Sequence, residues 1–239
     1  MTAMDLRTEE DVQAFLPVYV AVDTSASMNQ VTESGQLQID VANEIVPAIV
    51  EVCEERPTVR DKLRLSLVSF NSDAEVVVPL GGKEDFVPPP VLSASGGTNY
   101  GALFKLLRSE IEDGVRALNT GGFRVYRPAV FMITDGEPND PEPTRAAAFS
   151  SLVDPAFKAA PHVVMFGVAD ASPSTLKAYI NRNGVAVGAK SGADAAEGLK
   201  AIISLLVSSI VASTSGDSDH AGFQFDAGDI DSDLLTVWD

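Results

Sequence analysis

The sequence predicts an α/β fold, a mostly parallel sheet with helices on both faces, and three observations carry that reading. Short apolar runs alternate along the chain with longer segments whose apolar residues recur at helical spacing. The run Val18–Val22 is apolar without a break, as expected of a strand buried on both faces. Polar motifs follow predicted strands at three places: Asp23-Thr24-Ser25-Ala26-Ser27, Gly96-Gly97-Thr98-Asn99 and Thr134-Asp135-Gly136-Glu137.

In chain order, Val18–Val22 is the first strand. Asp40–Glu54 places Val41, Ile45, Ile49 and Val52 on one helical face, and Pro47 inside it predicts a kink. Leu63–Phe70 is the second strand. The turn Asn71-Ser72-Asp73 returns the chain into Glu75–Leu80, so these two strands form an antiparallel hairpin, and Pro79 suits a sheet edge. A loop over residues 81–97 contains Pro88-Pro89-Pro90. Tyr100–Leu118 is a long amphipathic helix that Gly121-Gly122 ends. Ala129–Thr134 is a strand, Thr144–Val153 a helix and Val163–Val168 a strand. Ser172-Pro173-Ser174 opens a short helix with cap-type residues. Gly184–Val187 is the last short strand and Ala193–Ser209 the final helix. The organisation is an N-terminal extension (1–16), one α/β domain (17–210) and a tail (211–239).

Composition narrows the function. The 239 residues are 45% hydrophobic, enough for one large domain with a full core, and carry a formal net charge of -17. Such a surface repels phosphate backbones, so nucleic acid is excluded as an expected partner, and a cation or basic protein patch fits better. Cys53 is the only cysteine, which rules out an internal disulfide and multi-cysteine zinc sites, and its helical setting predicts a buried thiol. The first residues are acidic, without the apolar stretch of a secretory signal, and no apolar run is expected to reach membrane-spanning length. A cytoplasmic location is the expectation. Beyond Ala212 the chain carries seven aspartates and no Lys or Arg. Such tails are often disordered, but Phe223, Phe225, Leu234, Val237 and Trp238 predict a docking segment: onto a partner, a neighbouring copy or this domain, with a sheet edge favoured because backbone pairing adds to burial.

The three polar motifs suit a hard cation. Mg²⁺ takes six oxygens and keeps several waters. Asp23, Ser25 and Ser27 alternate, so a turn leaving the strand can aim all three at one ion. Thr98 adds a hydroxyl from a glycine-bearing loop and Asp135 a carboxylate from another strand end. If both carboxylates act through water, the direct ligands are neutral and the ion keeps its appetite for an anionic ligand from outside. Each piece has a bland reading too: Asp23 as an Asx turn, Thr98 as a helix cap, Asp135-Gly136 as a plain turn.

This constellation resembles the von Willebrand factor type A domain with its metal-ion-dependent adhesion site: the Asp-x-Ser-x-Ser run at Asp23, Ser25 and Ser27, the loop threonine Thr98, and Thr-Asp-Gly with Asp135. The resemblance spans about residues 17–210. The wording of Leu16–Met28, Pro88–Leu103 and Val130–Asp140 is similar to the bacterial tellurium-resistance-associated TerY-like branch. The resemblance implies a Rossmann-like doubly wound sheet of six strands in order 3-2-1-4-5-6 with strand 3 antiparallel. It also implies Mg, or Mn or Ca, as the cofactor, a partner protein supplying an Asp or Glu to the metal, and a stress-response setting beside tellurium-resistance-type proteins, AAA+ ATPases or kinase–phosphatase pairs. Some relatives carry a cysteine-rich zinc-binding C-terminal region. This chain has the acidic tail instead, so that region's role does not transfer.

Three functions remain. A binding module would take a partner carboxylate at the metal, with Met28, Asn29, Tyr100, Glu137 and Asn139 as its rim. A structural subunit would use the metal as a staple. A metal-dependent phosphatase or nucleotide hydrolase is disfavoured, because no Lys or Arg in the three motifs can steady a phosphoryl group. His162 and His220 lack companions at metal-ligand spacing. Gly81-Gly82-Lys83 lacks the spacing of a phosphate loop, and no Gly-x-Ser-x-Gly elbow occurs.

Overall fold

The computed structural model describes residues 12–169, 171–181, 184–190, 194–215, 223–225, 230 and 233–238. Its sheet runs β3-β2-β1-β5-β6-β7-β8, built from β1 (Ala14–Asp23), β2 (Leu63–Phe70), β3 (Ala74–Gly81), β5 (Ala129–Thr134), β6 (His162–Gly167), β7 (Val185–Ala189) and β8 (Leu235–Trp238), while the two-residue β4 (Arg124–Val125) pairs with the start of β1. Without β4 and β8 this is the expected six-stranded order, and β3 is antiparallel to β2 as the hairpin requires. The first strand begins at Ala14, earlier than expected, because Ala14 and Phe15 pair with β4.

Successive residues of β1 feed two separate cores, as the two-residue period of a strand dictates. Val18, Val20 and Val22 point to the layer of α1 (Gln38–Ala42), α2 (Ile45–Glu55) and α7 (Ala195–Ser215). Tyr19 and Ala21 point to α4 (Tyr100–Thr120), α5 (Glu142–Leu152) and α6 (Pro173–Lys177). A strand with apolar layers on both sides needs apolar residues throughout, which is why Val18–Val22 shows no alternation.

Pro47 produces a break rather than a kink. A helix continuing through residues 40–54 would bring its ring against the carbonyl of Asn43. The chain instead closes α1 at Ala42 and restarts α2 at Ile45, leaving Pro47 in a first turn whose N–H groups need no intrahelical acceptor. A short helix, α3 (Pro57–Lys62), went unpredicted; it opens on proline at its first position. Gly121 does end α4, its N–H donating to the Ala117 carbonyl. Cys53 is buried, and burial pushes its thiol upward.

By length and composition the 21-residue α7 is apolar enough to cross a membrane, which corrects the expectation that no run reaches that length. Here Leu199, Ile202, Leu206 and Ile210 are buried against the sheet. The helix also continues past Ile210, where the domain was expected to end.

The tail docks in part on its own domain. Strand β8 runs antiparallel to β7, with Val187 opposite Val237 and Ala189 opposite Leu235, and Lys190 N–H donates to the Leu234 carbonyl at 2.8 Å. Leu235 is buried, and the Trp238 ring lies over Gly188 and Gly167, where any side chain at Gly188 would overlap it. Phe223 stacks on His162 with ring centroids 5.1 Å apart and meets Phe131 edge-on at 5.7 Å. That packing makes His162 structural, and burial holds its imidazole below the ordinary range. His220 lies outside the described residues.

Candidate metal centre

The sheet order places the candidate residues together. β1 lies between β2 and β5, and β1 and β5 are parallel with Val22 level with Ile133, so both strands end at one edge. Chain connections leave in opposite directions on either side of β1, and the crevice at such a switch point is where open α/β sheets bind ligands.

Asp23 is fully buried at the end of β1. Its Oδ1 accepts from Ser25 N–H at 2.8 Å, an Asx turn that reverses the chain, and its Oδ2 accepts from Thr134 Oγ1 at 2.6 Å. The Asx reading and the metal reading are therefore compatible, since the same turn brings Ser25 and Ser27 to one side. Their hydroxyls are 2.9 Å apart, and Ser27 Oγ donates to Asp135 Oδ1 at 2.8 Å. The loop over residues 81–97 arrives alongside: Ala26 N–H donates to the Gly96 carbonyl and Ser95 N–H to that of Thr24. Gly96 has φ +76°, a left-handed conformation that glycine adopts without strain. Thr98 is buried just ahead of α4, and a Cβ built on Gly136 would lie 3.8 Å from Ser27 Oγ and 4.0 Å from Thr98 Oγ1. All five expected residues thus meet at one place.

Two rim assignments and one cap assignment are corrected. Asn99, not Thr98, caps α4, its side chain accepting from Ala102 N–H at 2.9 Å, which leaves the Thr98 hydroxyl to the cleft. Met28 and Tyr100 are fully buried and take no part in a rim. Tyr100 instead donates its hydroxyl to the Gly136 carbonyl at 3.0 Å, beneath the site. Asn29, Glu137 and Asn139 do reach the surface. Glu137 accepts from Thr175 Oγ1 at 2.6 Å and so ties the cleft to α6.

The cleft encloses about 340 Å³, and among the described residues no Lys, Arg or His lines its wall. Burial, opposed by hydrogen bonds from Thr134 and Ser25, raises the Asp23 carboxyl above its usual range. Burial likewise raises the Tyr100 hydroxyl, helped by the negative charges of Asp23, Glu137 and Asp135. A site that makes its buried carboxylate, Asp23, costly to ionise is one in which a cation is stabilised. The donors fit a hard ion, because all are oxygens. The hydroxyl oxygens of Ser25, Ser27 and Thr98 can face an ion while the Ser27 proton still points to Asp135. Among the described residues no group of three or more His, Cys, Asp or Glu gathers, so hydroxyls rather than a carboxylate cage must supply the site.

A larger cavity of about 590 Å³ lies beside α4 and contains none of these residues. Both arginines in its wall are paired: Arg108 meets Glu112 at 2.6 Å and lies 3.5 Å over the Phe157 ring, and Arg116 pairs with Asp113 at 3.1 Å.

Fold and site together define a Rossmann-like domain with a hydroxyl-and-carboxylate cluster at its switch point. A family model of the von Willebrand factor type A domain matches residues 18–137, and the chain belongs to that family. No curated protein matches it by sequence. Solved structures resemble it in fold. A von Willebrand factor type A protein from Catenulispora acidiphila is 17% identical with a TM-score of 0.56, over 82% of this chain and 43% of that one. Proximal thread matrix protein 1 from the mussel byssus, with a zinc-occupied MIDAS motif, is 17% identical with a TM-score of 0.59, over 84% and 48%. The PilB minor pilin from Streptococcus sanguinis is 14% identical with a TM-score of 0.57, over 86% and 64%. This chain therefore spans less than two thirds of each of those proteins.

Proposed function

We propose that this chain is a metal-dependent protein-interaction module and not an enzyme. Its cleft would hold Mg²⁺, or Mn²⁺ or Ca²⁺, through Ser25, Ser27 and Thr98, with Asp23 and Asp135 balancing the charge. The observation that carries the reading is the bonded series Asp23–Ser25–Ser27–Asp135, open to a cleft that no basic side chain among the described residues lines. A bound divalent ion supplies a Lewis-acidic point that an outside carboxylate can complete. The protein's own contribution is to hold neutral oxygens toward that point. Thr134 and the Ser25 amide occupy the Asp23 oxygens, so this carboxylate is fixed rather than free to attack a substrate. The zinc-occupied motif of the byssal protein supports a divalent ion at such a site. The partner we propose is a protein presenting Asp or Glu. A cytoplasmic, TerY-like stress setting, with tellurium-resistance-type, AAA+ or kinase–phosphatase companions, is proposed from the wording of the three motif segments alone.

The test is capture from a bacterial lysate on immobilised protein, with millimolar Mg²⁺ or with chelator, using wild type and Asp23→Ala. Metal-dependent capture lost in Asp23→Ala supports the reading. Equal capture in all conditions would leave the metal, if bound, as a structural staple. Phosphatase or nucleotidase turnover that disappears in Asp23→Ala would replace the module with an enzyme.

A further inference from the structure

We infer that Asn139 and Asp140 are positioning residues that set the metal affinity of the cleft by fixing where the Thr98 hydroxyl sits; this rests on the metal-site reading above. Of the five expected ligands, Thr98 is the one on a segment outside β1 and β5, and something must hold it. Asn139 does so at both backbone groups. Thr98 N–H donates to Asn139 Oδ1 at 2.5 Å, and Asn139 N–H donates to the Thr98 carbonyl at 2.8 Å. A residue gripped on both its amide and its carbonyl by one partner has its Cα–Cβ direction set.

Asp140 extends the grip by two residues. Its Oδ1 accepts from Tyr100 N–H at 3.2 Å and its Oδ2 from Gly101 N–H at 3.1 Å. These amides belong to the first turn of the 21-residue α4 and have no acceptor within the helix, and a carboxylate there also meets the positive end of the helix dipole. Two glycines make the approach possible. A Cβ on Gly97 would lie 2.7 Å from Asn139 Oδ1, and one on Gly101 would lie 2.8 Å from Asp140 Oδ2.

The gripping residues are themselves held. Pro141 follows and opens α5, which packs on α4. Arg145 donates to the Asp140 carbonyl and, through Nε, to Tyr179 Oη. The segment carrying Asp135 therefore also carries the clamp for Thr98, and hydrogen bonds tie the two ligand loops together. Metal–oxygen distances tolerate little error, and loss of an outer hydrogen-bond partner of a ligand commonly weakens metal binding about 10- to 100-fold. Asn139, which the sequence placed on a partner-selecting rim, thus also holds Thr98 from its exposed position.

The experiment is Mg²⁺ and Mn²⁺ titration of the full chain by calorimetry, with apo melting temperatures and the amide proton shift of Thr98. Asn139→Ala should weaken binding about 10-fold or more and move the Thr98 amide upfield, with little change in apo melting. Asn139→Asp restores an acceptor for that amide and should recover most of the affinity. Gly97→Ala displaces the Asn139 oxygen from the other side and should reproduce the loss. Wild-type affinity in both Asn139→Ala and Gly97→Ala would overturn the inference, as would a drop in apo melting with affinity unchanged. A wild-type chain that binds neither metal would overturn the site reading itself.

Discussion

The two principal clefts of this molecule differ in how their charges are arranged. The larger, beside α4, sets Arg108 and Arg116 against Glu112 and Asp113, and these four charges are paired with one another. The smaller, at the ends of β1 and β5, gathers Asp23 and Asp135 with three hydroxyls, and no basic side chain among the described residues lines it. Size favours the first and chemistry the second. Exposed ion pairs on a helix are worth little and ask for nothing more. Burial makes the Asp23 carboxyl costly to ionise, and the cost falls when a cation arrives.

The largest effect should come from removing either cleft carboxylate. In wild type, metal at 100 times its dissociation constant adds about 2.7 kcal/mol to stability, because it binds only the folded chain. Asp23→Ala or Asp135→Ala should abolish the metal-dependent rise in melting temperature. A wild type whose melting ignores millimolar Mg²⁺ would break the comparison outright.

Next is a change remote from both clefts. Trp238→Ala removes the ring lying over Gly188 and Gly167 and should cost about 1–3 kcal/mol in denaturant unfolding, less than a fully buried aromatic because Trp238 is half-buried. The metal-induced shift should remain. Loss of that shift in Trp238→Ala would mean that the tail and the cleft are coupled.

A smaller effect concerns pH. The folded-state Asp23 carboxyl is raised by burial, so the native state holds this proton more tightly than the unfolded chain does. Its contribution to apo stability is present at acid pH and is lost as pH rises through the raised carboxylate range. Metal competes with that proton, so the metal-induced shift should grow over the same window. Asp23→Asn should flatten both trends, which melting curves from pH 4 to pH 7 would show. A metal response that shrinks as pH rises would contradict the assignment.

The smallest effect sharpens the contrast from the other side. Arg108→Ala removes an exposed ion pair and a ring contact and should cost about 0.5–1 kcal/mol, with metal affinity unchanged. A metal response that falls as far in Arg108→Ala as in Asp23→Ala would mean the two clefts are not separate.

What the sequence determined by itself was local or periodic. The unbroken apolar run of Val18–Val22, the hairpin turn at Asn71-Ser72-Asp73 and the helical spacing of α4 are each properties of a few neighbouring residues, and they recovered the sheet, its antiparallel edge and the strand ends that meet. Asp23, Ser25, Ser27, Thr98 and Asp135 were legible because each sits directly after an element boundary. Tertiary structure decided what depends on residues far apart. Met28 and Tyr100 read as rim residues from their nearness to the polar motifs, but packing buried both. Asn99 took the cap predicted for Thr98, because Asn139, some forty residues on, holds the Thr98 backbone. The tail's apolar residues announced a docking segment. Which edge it would join was settled by the paired glycines at 167 and 188, on neighbouring strands, which together leave room for one indole.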